Sequence, residues 1–430
     1  MANRPRVVVV GTGFAGYHCL RTLESLLGPD DADLVAVNPT DYMLYLPLLP
    51  EVTAGILDPR RIAVPLRTKL PRTRLVLGSV SDVDVADQKC TVVDIEGRES
   101  VLEWDRLVIT SGSVTRLLSI PGVAEYAKGF RSIAEAVFLR DHILRQLELA
   151  EQSDDPAERA ARTTFVVVGA GYTGTELAAQ GQLLTREALR RYKGLSEKDV
   201  RWLLVDMAPR VLPGLSKRLS GPALRVLRRR GVDVRLQTSV KEVTATCVKL
   251  TDDTEIPTRT VAWCVGVRPD PLVESTQLEA VQGRIAVDRK LRTAANQNVF
   301  AAGDVAAVPD ATRPGEITPM TAQHAQRQGK VAGVNVAASL GHGMMHQYKH
   351  HDLGFLVDLA GPSAVADPLH IPISGLPAKA ITRGYHLLAL PGNRARVLAD
   401  WAIDLVSTRQ FVQLGLVRGT SMEDADQPPM

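Results

Sequence analysis

Two stretches of this chain share one pattern: a short apolar run that breaks into glycines. Residues 7–16 read VVVVGTGFAG and residues 165–174 read FVVVGAGYTG. A continuous run of β-branched residues predicts a strand buried on both faces of a parallel sheet. The first run predicts a strand over Arg6–Val10, followed by a helix over 14–27 that stops at Gly28-Pro29. Further apolar runs predict strands over 34–37, 107–112 and 202–205, a strand leading into a Gly-Pro turn within 261–271, and a strand followed by a small-residue turn and an aspartate within 298–308. Between them, AEQSDDPAERAART (150–163) is polar and proline-containing, which predicts a surface linker. ALRVLRRRGVDV predicts a helix closed by Arg228, Arg229 and Arg230, a cationic end that suits the helix dipole.

The last ninety residues have a different texture. HQYKHHDLGFLVDLAG and LHIPISGLP predict short strands. Residues 394–418 then take a helical period, with Val397, Leu398, Trp401, Leu405 and Val412 on one stripe. Two fates fit such a stripe. It packs on the core, or it lies in a membrane surface with Arg394, Arg396 and Arg409 near anionic headgroups. The tail SMEDADQPPM is polar enough to stay disordered.

The glycines give both turns a chemistry. In G-x-G-x-x-G, the first glycine (Gly11, Gly169) makes the tight turn. The second (Gly13, Gly171) lets backbone approach a pyrophosphate, and the third (Gly16, Gly174) lets helix and strand pack closely. Phosphates then rest on free N–H groups at a helix N-terminus. The bland alternative is two glycine-rich turns without a ligand. An acid at the end of the second strand of such a unit binds a ribose. Asn38 stands there in the first unit, uncharged, and Asp206 in the second. The charge of Asp206 favours NADH over a 2′-phosphorylated nucleotide, and Arg210 blunts that preference. Asp304, at the carboxyl end of a strand, either faces the first nucleotide site or caps the following helix.

Composition narrows the classes. A chain of 430 residues holds two or three full cores. Net charge +3 and the lack of a basic run argue against nucleic acid. The start has no signal-peptide core, and no apolar run reaches the ~18 residues a membrane span needs, so the expectation is a cytoplasmic protein. Cys19, Cys90, Cys247 and Cys264 have no close spacing, which argues against a metal site, a disulfide framework and dithiol chemistry. Cys264 fits a buried small hydrophobe.

Two nucleotide units in one chain imply two nucleotides whose reactive rings meet. The stretches VVVVGTGFAG, DYMLYLPLLPEVTAGILDPRRIAVPLR, LVITSGS, TTFVVVGAGYTGTELA, VAWCVGV, VFAAGDVA and TAQHAQRQGKVAG together resemble the two-dinucleotide-binding-domain flavoproteins. Within these, the chain resembles type II NADH dehydrogenase, the single-subunit NADH:quinone oxidoreductase. The resemblance implies an α/β chain of two Rossmann-like domains and a small C-terminal α+β domain. The FAD domain would take residues 1–115 and 285–340, the NADH domain 116–284, and the C-terminal domain 341–430.

It also implies site residues. Gly11, Gly13, Phe14, Ala15 and Gly16 would hold the FAD pyrophosphate, with Asn38, Val80, Gly112 and Asp304 around the same cofactor. Gly169, Gly171, Thr173, Gly174, Asp206 and Gly266 would hold NADH. Glu176 matches a glutamate near the stacked nicotinamide and flavin; its plainer role is an acid in the first turn of a helix. The family motif A-Q-x-A-x-Q-x-G at the quinone pocket matches at Gln323, while Arg327 replaces its second glutamine. A guanidinium is larger and permanently charged, so this departure bears on the acceptor. His324 is a proton-relay candidate or simply a core or exposed histidine. The implied enzyme passes a hydride from NADH to flavin and two electrons to a quinone, from a peripheral position on the inner face of the membrane through residues 394–418. A homodimer is compatible with it. The rival readings are a soluble NADH reductase for a protein electron carrier or a quinone-type metabolite, and a redox-sensing flavoprotein.

Overall fold

The computed structural model describes residues 4–417. The chain opens with β1 (Arg6–Val10), α1 (Phe14–Leu26), β2 (Asp33–Asn38) and the short α2 (Leu49–Thr53). Next come β3 (Arg74–Asp84), β4 (Lys89–Asp94), β5 (Glu99–Glu103), β6 (Arg106–Ile109) and the long α3 (Ile133–Gln152). The second glycine motif joins β7 (Thr164–Val168) to α4 (Tyr172–Ala188). It is followed by β8 (Arg201–Asp206), α5 (Lys217–Arg229), β9 (Val232–Leu236) and β10 (Thr260–Trp263). Then β11 (Val299–Ala301) and α6 (Ala322–Ser339) precede β12 (Leu356–Asp358), β13 (Ala364–Ala366) and β14 (Ile373–Ser374). Two helices follow, α7 (Leu376–Ala389) and α8 (Arg394–Val406).

The larger sheet runs β11-β6-β1-β2-β3-β4-β5. Its first five strands pair in parallel, and β3, β4 and β5 form an antiparallel meander. The second sheet, β9-β8-β7-β10, is parallel throughout. In both sheets the strand before the glycine turn is central and almost wholly buried, as an uninterrupted apolar run requires. Each central strand has its successors on opposite sides (β2 and β6; β8 and β10), which makes the topological switch where open α/β sheets bind ligands. β11 returns to the first sheet from almost two hundred residues downstream of β6, so that sheet is built from both ends of the second unit.

α1 and α6 cross at backbone distance. A Cβ on Gly329 would overlap the Ala15 carbonyl, and one on Gly333 would sit 2.7 Å from the Cys19 oxygen. The glycine that ends the A-Q-x-A-x-Q-x-G run is therefore a packing requirement of this crossing.

Two expected elements differ. The 150–163 stretch carries helix: α3 runs to Gln152, and a further helix spans Pro156–Arg162. Asp155 caps that helix, accepting from Ala157 N at 2.9 Å, and Pro156 takes the first helical position. There its fixed φ suits the helix and its missing N–H leaves nothing unpaired. The second difference is the 394–418 helix, which stops at Val406. The following chain is held extended by tertiary bonds. Arg140 donates to the carbonyls of Gln410 and Val412 at 2.8 Å, and Asp141 accepts from Gly415 N at 2.7 Å. Of the predicted stripe, Val397 and Trp401 are buried while Leu398, Leu405 and Val412 are exposed. Arg409 is not free for headgroups: it is buried between Asp404 at 2.6 Å and Glu187 at 3.4 Å. Residues 418–430, including the tail expected to be disordered, lie outside the described residues.

Candidate active site

The two glycine turns superimpose in their logic bond by bond. Gly11 N donates to Val37 O, and Gly169 N to Val205 O, both at 2.8 Å. Both glycines hold a positive φ, +83° and +103°, against a neighbouring strand end. A Cβ on Gly16 or Gly174 would overlap the carbonyl oxygen of Gly11 or Gly169. Gly13 and Gly171, by contrast, face open space. Both are N-caps without a side-chain bond, and neither helix has an acid in its first turn. The free N–H groups of α1 and α4 are thus left for an anion, and the open middle glycine lets it approach.

Asn38 and Asp206 clasp their turns in the same way. Asn38 Oδ1 accepts from Thr12 N at 2.9 Å, and Asp206 Oδ2 accepts from Ala170 N. Asn38 spends both amide hydrogens on Thr40. Asp206 also accepts from Ala208 N at 2.6 Å and stays partly exposed, so its carboxylate keeps lone pairs for further donors. Arg210 donates to Pro213 O at 2.7 Å.

Four buried polar atoms without partners mark the rim of the first sheet: Thr12 Oγ1, Ser111 Oγ, Arg131 Nη1 and Gln323 Oε1. All four stand on the turns after β1 and β6 or at the entries to α3 and α6, around the carboxyl ends of the strands. Buried polar groups in native proteins are normally satisfied, so a donor- and acceptor-rich cofactor fits here. Gly112, with φ +85°, faces open space beside them. Asp304 sits on a single 3-10 turn, where its Oδ2 accepts from Ser113 Oγ at 2.6 Å. Arg131 donates to the same hydroxyl at 3.3 Å. Phe14 meets Tyr45 edge-on at 5.8 Å, bringing the DYMLYLPLLPE segment over this rim. Val80 is buried beside the bulge of β3, and Gly266, with φ +63°, ends the β10 turn facing open space. Thr173 is exposed at the start of α4.

Glu176 lies in the second turn of α4, so the dipole does not explain it. Its Oε1 accepts from Asp358 N at 2.8 Å, and burial drives its carboxyl well above the usual range. Asp358 receives Lys379 Nζ, which lies 3.9 Å from Glu51 Oε1. Glu51, Asp358 and Lys379 went unmarked in the sequence. Their only signal was a charge set in apolar surroundings, as in LPLLPEV and PAKAI.

Gln323 Nε2 donates to Gly354 O at 2.7 Å, which aims the amide while its oxygen stays free. Arg327 is turned onto His350 Nδ1 at 3.1 Å and the His351 carbonyl. His324 is buried, bonded to Tyr348 OH at 2.8 Å and stacked on His350 at 3.9 Å. Burial lowers it to about 4, so it is a neutral core histidine at physiological pH. Cys264 is pushed up to about 12 by burial, and its Cβ packs at the Gly174 turn, as a small hydrophobe does. Among the described residues no group of side chains forms a metal site.

The pyridine nucleotide-disulphide oxidoreductase family model matches residues 5–329. The chain is 32% identical to the type II NADH:quinone oxidoreductase Ndh of Mycobacterium tuberculosis, over 95% of this chain and 89% of that protein. This chain belongs to the type II NADH:quinone oxidoreductase family. A second oxidoreductase of that type from the same organism, NdhA, is 30% identical over 94% of this chain and 87% of its own length. The fold matches the NDH2 of Plasmodium falciparum solved in complex with NADH, with a TM-score of 0.89, 18% identity, and coverage of 95% of this chain and 100% of that one. Membership makes the chain an oxidoreductase with FAD and NADH as its cofactors.

Proposed function

We propose that this chain is a single-subunit, non-proton-pumping NADH:quinone oxidoreductase that works at a membrane surface. The observation that carries the reading is the pair of matched glycine cradles on two sheets, each with an uncapped helix N-terminus. On this reading the chain divides into domains at 1–115 with 285–340, 116–284 and 341–430.

Gly11, Gly13, Phe14, Ala15 and Gly16 cradle the FAD pyrophosphate, with Asn38, Val80, Gly112 and Asp304 along the rest of the cofactor. Gly169, Gly171, Thr173, Gly174 and Gly266 take NADH, and Asp206 accepts its ribose hydroxyls. When bound, FAD supplies a ring that accepts hydride from NADH and yields two electrons to a quinone. The protein's part is placement, because hydride transfer requires the reacting atoms ~3–3.5 Å apart and aligned. Glu176, beside the nicotinamide, orders that face, and the Gln323 amide meets the quinone oxygen.

For the membrane, support comes from α7 and α8. Leu388 is 73% exposed, Leu398 54%, Leu405 77% and Val406 85%. Arg396 is exposed on the same helix. An apolar face bordered by cations suits an interfacial helix. No helix among the described residues is long and apolar enough to cross a membrane. A homodimer formed through this face is the competing use of it.

Arg327 favours a second reading for the acceptor, a polar or anionic quinone-type metabolite, since its guanidinium stands where the motif has an amide. The deciding experiment gives NADH-reduced protein a prenylated quinone, a water-soluble quinone or a carboxylated one. Reoxidation by the prenylated quinone supports the proposal. Reduction by NADH without reoxidation by any quinone sinks it.

A further inference from the structure

The second glycine turn lies at the carboxyl end of its sheet. At the amino end of β10, on the far side of the strand from that turn, is a cavity of about 190 Å³. Its walls come from α3, from the entry to β10 and from the hairpin turn at Thr244 and Ala245. Four residues of extended chain, roughly 13 Å, separate Thr260 at the cavity from Cys264 at the Gly174 turn. Lys128, His142 and Arg259 line the cavity, and no carboxylate does. Lys128 is fixed by its backbone, which donates to Val261 O at 2.7 Å and accepts from Trp263 N at 2.8 Å. Its half-buried side chain places the ammonium 5.9 Å from the centre of the Phe138 ring. Among the described residues that ammonium has no ion-pair partner. Burial alone loosens its proton, with no carboxylate to offset it. A cation taken out of water without a counter-charge is costly.

Two further donors on the same walls are incompletely used. Arg259 donates from Nη2 to Glu158 at 2.5 Å and from Nη1 to the Ala245 carbonyl at 3.4 Å, but its Nε is buried without a partner. His142 Nε2 lies 3.1 Å from the Arg259 carbonyl and 2.9 Å from Thr260 Oγ1. A carbonyl only accepts, so this nitrogen carries the ring hydrogen and shares it between the two oxygens. Burial, and Lys128 after it, keep the ring neutral. The Thr260 hydroxyl therefore retains a hydrogen to give. Thr260 is 2% exposed, and its hydroxyl has no acceptor among the described residues.

We propose that this cavity is a binding site for a small oxyanion, a carboxylate or a phosphate group, with Lys128 as its counter-charge and the Thr260 hydroxyl as a neutral donor. Water would satisfy the donors but not the charge. A lysine is a compact point charge, which suits one oxygen of either group, whereas a planar guanidinium fork would select a pair. The place of the cavity, at the amino end of β10, keeps its occupant off the path of the hydride. The ligand is therefore an effector of the NADH half, and β10 is the element that joins it to the nucleotide turn.

The test is a calorimetric titration of the FAD-loaded full chain with inorganic phosphate and, separately, with succinate. NAD⁺ in excess fills the second glycine cradle, and no quinone is present, so the result does not depend on the quinone reading. The expected result is saturable binding of at least one of the two anions, and which of them binds identifies the group. Lys128→Met should weaken that binding ~10-fold or more, the scale of a charge-assisted hydrogen bond, and Thr260→Val ~5-fold, the scale of a neutral one. Flavin reduction by NADH without the anion should stand in both variants. If Lys128→Met does not fold, acetic anhydride labelling of the wild type replaces it. Lys128, located by mass spectrometry, should acetylate at neutral pH and lose most of that labelling when the anion is bound. Three outcomes overturn the proposal: neither anion binds at millimolar concentration, binding is equal in Lys128→Met, or a bound anion leaves the labelling of Lys128 unaltered.

Discussion

Asn38 holds Thr12 N through its side-chain oxygen at 2.9 Å, as Asp206 holds Ala170 N in the other half of the molecule. An amide thus does the structural part of the acid's task without its charge. The two positions should therefore respond differently to the same loss. Asp206→Asn keeps the bond to the turn and removes the charge. We expect an increase in KM for NADH of about 10-fold, the scale of a charge-assisted hydrogen bond, and a smaller preference over NADPH. Equal discrimination between the two nucleotides before and after the change would remove Asp206 from the ribose site.

The glycines of the second cradle separate binding from folding. Gly171 has φ −71° and open space, so alanine fits its backbone and meets no protein atom. Gly174→Ala would drive a methyl into the Gly169 carbonyl. Gly171→Ala should keep its melting temperature and lose affinity for NADH. Gly174→Ala should lose ~1–3 kcal/mol of stability, as overpacking does. The paired measurement is thermal unfolding and NADH titration on each variant. Matching effects in both would contradict the assignment of the middle glycine to the ligand.

These turns were legible in the sequence because each obeys a local rule: an apolar run, then glycines at fixed offsets. Asp206 was legible for the same reason. What was hidden depends on contacts remote in sequence. Glu51 meets Lys379 and Trp401 across more than three hundred residues, and nothing local to LPLLPEV says which charges will face it. The end of α8 failed for a related cause. Helical period continues past Val406, but Arg140 and Asp141 of α3 compete for the backbone and win. At Pro156 the local signal was present and was read as a break, although Asp before Pro is also how a helix starts.

Glu176 has one bond that a structural role explains, to Asp358 N, and the proposal adds a place beside the nicotinamide that such a role does not need. Glu176→Gln retains an oxygen for that bond. The expected outcome is FAD still bound, little change in thermal stability, and flavin reduction by NADH slowed at least ~10-fold, in the range of a positioned polar group. Stopped-flow bleaching of the flavin reads this directly. A wild-type rate would leave Glu176 as a strut between α4 and β12.

The exposed apolar face of α7 and α8 predicts a partition measurement. Replacing Leu398, Leu405 and Val406 with serine removes side chains that contact no core. The fold and the rate with NADH and a water-soluble quinone should stand. Retention on anionic liposomes should fall by about tenfold or more per residue, since burying such a side chain is worth ~1.5–3 kcal/mol. Salt should weaken the wild type further if Arg396 meets headgroups. Unchanged liposome retention, together with dissociation of a dimer in the triple variant, would assign the face to a second copy of the chain.

Stability should depend on pH in two opposed ways. His18, His142, His324 and His386 are all buried, and burial lowers each from 6.5 to about 4. The folded state resists protonating them while the unfolded chain does not. Their contribution is therefore complete above about 6.5, declines as pH falls, and is gone near 4. Glu51 has the reverse sign. Its folded value is raised from 4.5 to about 7, so its contribution is complete below about 4.5 and is lost as pH rises toward 7. Glu176, which burial also raises, acts in the same sense as Glu51, and each of the four histidines opposing them contributes at most ~1.4 kcal/mol per pH unit. Stability from denaturant midpoints should fall steeply from pH 6.5 toward 4. His386→Gln, which retains a partner for Tyr45 OH, should make that fall shallower by up to ~1.4 kcal/mol per unit. An identical slope in the variant would mean that His386 already shares its environment with the unfolded chain, against its burial beside Tyr45.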